Sequence, residues 1–248
     1  MYISSLAKKG FTGLVNLAYP PFCVICNKKV LHTRQDLLIC EGCFNKIKKN
    51  PPPYCKKCGR SLSGLADNVQ ICWECSERSF HYERSWSCFL YDGVVKDAIH
   101  LLKYSKKVSL TNLFCFLLTG FLRENTEILK DIDGILAVPL HAVKLREREF
   151  NQAHMLTEAI VKEFNTSDFS GCLRRIAATA PQSGLDRNKR FDNVKGTFAV
   201  TGSRPMRGKN LLIVDDLFTT GATLNECAGV LSKAGAKTIR CLTFARGS

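Results

Sequence analysis

No apolar run in this chain is long enough to cross a membrane. The longest, VSLTNLFCFLLTGFL (Val108–Leu122), falls short of the ~20 residues a spanning helix needs and is broken by Thr, Asn and Gly. It predicts a buried helix, and the chain is expected not to insert into a bilayer. The first residues, MYISSLAKKGFTGLVNLAYPP, lack a small-x-small cleavage site and run into Pro20-Pro21, which argues against a secretory signal. They read instead as a short amphipathic helix. A Walker-type loop is excluded because G-x4-G-K-[ST] does not occur. Acids are scarce, with 22 Asp+Glu against 36 Lys+Arg and a net charge of +14. That deficit favours anionic partners such as nucleic acid or phosphorylated metabolites. The basic excess is shared equally by residues 1–86 and 87–248. None of the 5 histidines has a clear catalytic context, His141 coming closest because it follows an apolar segment.

Cysteine, in contrast, is plentiful. Cys23, Cys26, Cys40 and Cys43 form C-x2-C-x13-C-x2-C, and Cys55, Cys58, Cys72 and Cys75 repeat it with every position shifted by 32 residues. Two cysteines three apart can offer both thiolates to one ion from a tight turn, and two such turns complete a tetrahedral S4 shell. The spacing therefore predicts two structural zinc ions, one per block, with no position left open for water or substrate. A disulfide framework is the bland alternative, and it is weaker without a secretory signal. Each Zn(Cys)4 unit carries about −2, so the effective charge of residues 1–86 falls to about +3. The remaining cysteines, Cys88, Cys115, Cys172, Cys227 and Cys241, lie in apolar segments and read as small core residues. A reducing, cytoplasmic location fits both groups.

From about Ser87 the pattern alternates. Short apolar runs at Ser87–Tyr91, Gly134–Leu140, Gly196–Val200, Leu211–Asp215 and Thr238–Phe244 predict strands. Val94–Tyr104, Val108–Leu122, Gln152–Phe164 and Ala222–Lys233 predict helices. The alternation implies an α/β domain (87–248) with a mostly parallel sheet flanked by helices, preceded by a small ribbon domain (1–86). Chelation would then unfold residues 1–86 and leave the second domain intact.

One stretch joins these levels. LLIVDDLFTTGAT (Leu211–Thr223) reads as a strand ending in Asp215 and Asp216, a loop Leu217–Gly221, and a helix from Ala222. Loop amides and a helix N-terminus make an anion site, and Thr219, Thr220 and Thr223 add hydroxyl donors. Gly221 lets the backbone approach a phosphate. The acids suit vicinal hydroxyls or Mg2+. A ribose 5-phosphate satisfies both halves. The plain alternative is a strand-to-helix turn with Asp as a cap, which leaves the repulsion between adjacent acids uncompensated.

The stretch resembles the phosphoribosyl pyrophosphate (PRPP) motif of type I phosphoribosyltransferases at every position. With VPLHAVKLREREFNQA (Val138–Ala153), TAPQSGLDRNKRFDNVKGTF (Thr179–Phe198), YDGVVKDAIHLLKY (Tyr91–Tyr104) and the cysteine ribbons, nearly the whole chain resembles the ComF family, which includes ComFC and the related GntX. One departure stands out: the family's R-G-F-N-Q has Glu149 in place of glycine.

The resemblance implies a type I phosphoribosyltransferase fold behind a double zinc ribbon. It implies that Asp215 and Asp216 act on the ribose hydroxyls, directly or through Mg2+, and stabilise an oxocarbenium-like transition state. Leu217, Phe218, Thr219, Thr220, Gly221, Ala222 and Thr223 would form the PRPP loop. Arg146 and Arg148, with Lys144, would line a pyrophosphate loop. Arg190, with Arg187 and Lys189, would belong to a lid. Lys103, Asn151, Gln152 and Gln182 are further candidates near PRPP or its acceptor. For KLRERE the bland reading is a solvated charge run. Three functions follow: transfer of phosphoribose to an unidentified acceptor, PRPP sensing without turnover, and single-stranded DNA binding during natural transformation or DNA use. The last implies partners such as a competence helicase or other DNA-uptake proteins. Aromatics beside lysines in the ribbons (Phe44 with Lys46, Lys48 and Lys49; Tyr54 with Lys56 and Lys57; Trp73) suit single strands, though they also suit small ribbon cores.

Overall fold

The computed structural model describes residues 21–30, 37–65, 68–105, 107–179, 186–202 and 206–247. The expected N-terminal helix and Gln182 lie outside the described residues. Among those described, no helix is long and apolar enough to cross a membrane.

The two cysteine blocks fold alike. In the first, Cys23 N–H donates to Lys28 O and Asn27 N–H to Cys23 O; in the second, Cys55 donates to Arg60 O and Gly59 to Cys55 O. The residue closing each knuckle takes a left-handed backbone, Asn27 at φ 58° and Gly59 at φ 67°. Asn tolerates that region, and Gly enters it without strain. The second cysteine pair of each block opens a one-turn helix, α1 (Glu41–Phe44) and α2 (Trp73–Ser76).

A four-stranded parallel sheet follows, built from β1 (Arg84–Leu90), β2 (Gly134–Ala137), β5 (Asn210–Phe218) and β6 (Thr238–Arg246) in the order β1-β6-β5-β2. The helices are α3 (Gly93–Tyr104), α4 (Thr111–Glu124), α5 (Ala142–Arg148), α6 (Gln152–Phe164), α7 (Arg187–Val194) and α8 (Ala222–Lys233). Helix α3 starts on the Asp92 carboxylate, which accepts from Gly93 N–H. Helix α6 starts on the Asn151 side chain.

Four differences from the sequence reading have physical causes. Strand β1 starts at Arg84 rather than Ser87, because Arg84, Ser85 and Trp86 already pair with Arg240, Cys241 and Leu242. Strand β5 runs past the two acids to Phe218, because Leu217 and Phe218 pair with Ala245 and Arg246. Both carboxylates lie on the strand as expected, and the strand continues into Leu217 and Phe218, which were expected to open the loop. The helix expected from Val108 begins at Thr111 after a 3-10 turn. The strand expected at Gly196–Val200 is β4 (Phe198–Val200), but it lies outside the main sheet. It pairs antiparallel with β3 (Leu173–Arg175), a three-residue strand too short to show a period.

Alternation along the strands divides the core. Leu212, Val214, Leu242 and Phe244 face α3, α4 and α6, whereas Leu211, Ile213, Ile239 and Cys241 face α8. Each ribbon joins one of these faces. Cys23, Val30, Ile39 and Cys43 pack into the first cluster, and Cys55, Cys58, Leu62, Cys72 and Cys75 into the second. Ribbon and sheet thus share their cores, which argues that metal removal would reach beyond the ribbons. Cys88, Cys227 and Cys241 are fully buried core residues, and burial pushes their thiols up. Gly134 has a packing reason: a Cβ there would lie 2.2 Å from the Phe169 ring.

Candidate functional site

The sulfur atoms of Cys23, Cys26, Cys40 and Cys43 lie within 4.8 Å of one another, as do those of Cys55, Cys58, Cys72 and Cys75. The Cys26–Cys40 and Cys58–Cys72 sulfur separations are 3.5 and 3.7 Å. Four sulfurs about 2.3 Å from one zinc ion would stand about 3.8 Å apart, so both quartets fit zinc. The second quartet is wholly buried, while Cys26 of the first is exposed. Within the second, hydrogen bonds from Cys58 and Cys75 hold Cys55 far below the usual thiol range, and the bond to Cys55 pushes Cys58 up to about 12. A divalent cation would remove that competition by binding all four as thiolates.

The LLIVDDLFTTGAT stretch forms one side of a cavity of about 390 Å3 at the carboxyl ends of β5 and β2. In open parallel sheets this is where ligands bind. Asp215, Asp216, Leu217, Phe218, Thr219, Gly221, Ala222 and Thr223 line it. Thr220 does not: it is buried, and its hydroxyl accepts from Ala222 N–H at 3.4 Å. Gly221 precedes α8 with φ 80°, and a Cβ there would meet the Phe218 ring at 2.6 Å. Only glycine combines that conformation with that contact. It also adds no side-chain cap of its own at the start of α8, the end of a helix that favours an anion.

The two acids differ. Asp215 accepts from the Asp216 amide at 2.8 Å, and burial, then the charge of Asp216, pushes its carboxyl up to about 8. Asp216 forms an ion pair with Lys103, and both side chains are largely buried. Lys144, Arg148, Arg175 and Arg190 line the same cavity. Burial pushes the Lys144 ammonium down, and the neighbouring charges of Arg148 and Arg175 push the same way. Arg148 is braced by Gln152, whose side-chain oxygen accepts from it at 3.3 Å. Five cationic side chains against two carboxylates make a pocket built for a polyanion with one hydroxyl-rich face.

The pocket sorts the candidates. Lys103, Lys144, Arg148 and Arg190 line it; Arg146 does not, being exposed on the outer side of α5. Lys144, Arg146 and Arg148 lie on a helix rather than the expected loop. Lys189 is exposed and pairs with Asp186. Asn151 caps α6 and donates to Val138 O at 2.9 Å, and Gln152 is buried beneath Arg148. His141 Nδ1 accepts from Val143 N–H. Glu149 closes α5 with φ 69°, so the family's glycine meets a backbone requirement that Glu149 satisfies under strain. Arg175 was not anticipated. It stacks on Phe198, donates to Thr179 Oγ1 at 2.6 Å, and is held half-buried facing the charge of Asp215. The adjacent pair Arg174-Arg175 ending a short apolar run is its only trace in the sequence.

The ribbon aromatics are less uniform. Lys48 and Lys49 are engaged by Asp92 and Glu124, and Lys57 donates to the carbonyls of Tyr82 and Glu83. These lysines tie the ribbons to the start of α3, the end of α4 and the segment before β1. Among the described residues there, Trp73 and Phe22 are the exposed aromatics.

Two domain families match the chain: the double zinc ribbon domain over residues 14–78 and the phosphoribosyl transferase domain over residues 157–248. The architecture is accordingly a type I phosphoribosyltransferase fold preceded by a double zinc ribbon. Competence protein F of Haemophilus influenzae is 30% identical over 234 residues, covering 89% of this chain and 97% of that protein. The DNA utilization protein YhgH of Shigella flexneri is 27% identical, over 93% of this chain and 99% of that one. Competence protein ComFC of Bacillus subtilis is 26% identical, over 86% of each. By identity and coverage together, the chain belongs to the competence protein F family.

Proposed function

We propose that the cavity binds PRPP and that the protein uses it while handling single-stranded DNA in DNA uptake or DNA use. The observation that carries the donor half is what one cavity brings together: two carboxylates, the start of α8, and the cations Lys144, Arg148, Arg175 and Arg190. The α8 amides with Thr219 and Thr223 would hold the 5-phosphate. Asp215 and Asp216 would orient the ribose hydroxyls, and they are the residues that would hold Mg2+, which supplies charge neutralisation when bound. Lys144, Arg148, Arg175 and Arg190 would neutralise pyrophosphate as the anomeric C–O bond breaks. The carboxylates then face the positive charge that develops on the sugar ring.

Thermal unfolding with PRPP tests this. PRPP at about 1 mM should raise the melting temperature in the presence of Mg2+, and Asp215→Asn with Asp216→Asn should abolish the rise. No rise in the wild type would end the PRPP reading. Pyrophosphate release with added acceptor separates transfer from sensing. The DNA half rests on the net charge of +14, the exposed Trp73 and Phe22, and the names of the relatives. Binding to single strands should weaken steeply with salt and fall in Trp73→Ala. Salt-independent binding, or none, would count against it.

A further inference from the structure

The acidic pair of the cavity already holds a cation of the chain's own. Lys103 comes from the last turn of α3 and Asp216 from the end of β5, and the ammonium is in ionic contact with Asp216 Oδ2. The two side chains are only 15% and 13% exposed. Oδ2 is closed to solvent and makes no hydrogen bond to another group among the described residues, so Lys103 is the partner that neutralises it. Asp215 Oδ1 accepts from the Asp216 amide, and burial, then the charge of Asp216, favours the protonated form of its carboxyl. A divalent cation needs carboxylate oxygens that are charged and open. With Lys103 in place, one acid is paired and the other favours its proton.

What surrounds Lys103 explains why it stays. It lines the same cavity as Lys144, Arg148, Arg175 and Arg190. Lys144, pushed down first by its own burial, feels the like charges of Arg148, Arg175 and Lys103. Leaving Asp216 would trade an acid for those like charges. A polyanion seated among the cations reverses the balance. Its phosphate oxygens offer the Lys103 ammonium, a compact charge on a flexible stem, a partner as good as Asp216.

The geometry points to Lys103 as an internal counter-ion that closes the acidic pair to divalent cations until a polyphosphate draws it away. Metal and polyanion then enter together, and each raises the affinity of the other by the same factor. This role rests on the PRPP reading of the cavity and adds an order to it: the empty site excludes the metal. It also separates Lys103 from Lys144, Arg148, Arg175 and Arg190. Those residues meet the polyanion, whereas Lys103 exchanges one partner for another.

The test uses the full-length, zinc-loaded protein without PRPP, and Mn2+ as the probe, with free Mn2+ counted by electron paramagnetic resonance. Wild type should bind Mn2+ no tighter than about 1 mM. Lys103→Met, which keeps most of the stem and drops the charge, should bind it at least about 10-fold tighter. Adding Asp216→Asn to that variant should abolish the gain. Lys103→Arg should stay near wild type. Lys144→Met removes the same charge from the same cavity but leaves Asp216 paired, so it should tighten binding by less than about 3-fold. Circular dichroism checks that each variant is folded, and Lys103→Gln serves if Lys103→Met is not. Binding that loss of the Lys103 charge leaves unchanged overturns the inference, as does a gain that Lys144→Met matches or that survives Asp216→Asn. The thermal shift of wild type with PRPP and Mg2+ is scored separately. A shift without the Mn2+ gain removes the counter-ion role alone, and a gain without the shift sinks the donor reading and leaves Lys103 as the gate of a bare cation site.

Discussion

Replacing Asp215 with Asn should stabilise the ligand-free protein while weakening the PRPP binding proposed for it. Asp215 sits beside Asp216 at the end of β5, and its carboxyl is pushed up to about 8, by burial first and then by its neighbour's charge. In the unfolded chain it would titrate near 3.8. A folded-state value above the unfolded one means that the folded protein holds the proton more tightly. Its contribution is therefore most favourable at low pH, is lost progressively as pH rises from about 4 to about 8, and is flat beyond. The whole interval has an upper limit of about 6 kcal/mol, and water entry and side-chain relaxation bring the expected cost at pH 8.5 to about 2–4 kcal/mol. Asn keeps the oxygen that accepts from the Asp216 amide and sheds the charge. Asp215→Asn should then melt about 5–10 °C above wild type at pH 8.5, the gap narrowing toward pH 5. Urea unfolding across that range measures it. A variant less stable than wild type at pH 8.5, or a gap that ignores pH, would refute the reasoning. In the proposed reading that stabilisation is the cost of function in reverse, since PRPP with Mg2+ would repay the repulsion between the two carboxylates.

Other outcomes follow from the same structure. Glu149→Gly relieves a left-handed backbone at φ 69° and should stabilise by about 1 kcal/mol, or about 2–4 °C in melting temperature; destabilisation would show that Glu149 makes a contact worth more than the strain. Arg175→Gln should weaken PRPP binding about 10–100-fold by calorimetry, and unchanged affinity would remove Arg175 from the pyrophosphate side. Zinc chelation should lower the melting temperature of the whole chain by more than about 10 °C and perturb the buried Trp86, because ribbon and sheet share cores; a change confined to the exposed Trp73 would contradict that.

Local chemistry made much of this protein legible in its sequence. The cysteine quartets needed only spacing, because a tight turn and a tetrahedral ion fix which sulfurs meet. Helices α6 and α8 were read to the residue, since each has a strong period and a chemical start: Asn151 as a cap, and Gly221 where the chain turns left-handed. The DD-x2-TTGAT loop was legible because strand end, glycine and helix start are consecutive in the chain. Where prediction slipped, a partner strand decided. Only the pairing of Leu217 and Phe218 with β6 carries β5 beyond the acids, and only β3 draws β4 out of the main sheet.

The ion pairs and the cavity were beyond reach for the same reason. Lys103 and Asp216 are far apart in sequence, and nothing local marks Arg175 as facing Asp215. KLRERE reads as one uniform charge run; the helix turns Lys144 and Arg148 into the cavity and Arg146 away, because residues four apart share a face and residues two apart do not. By itself the sequence determined the two cysteine quartets, the alternation of strand and helix, and the strand–glycine–helix loop, all set by neighbours within a few residues. The tertiary structure decided which cations join that loop and that the ribbons are parts of the core, because each of these depends on chain segments that meet only when the sheet is assembled.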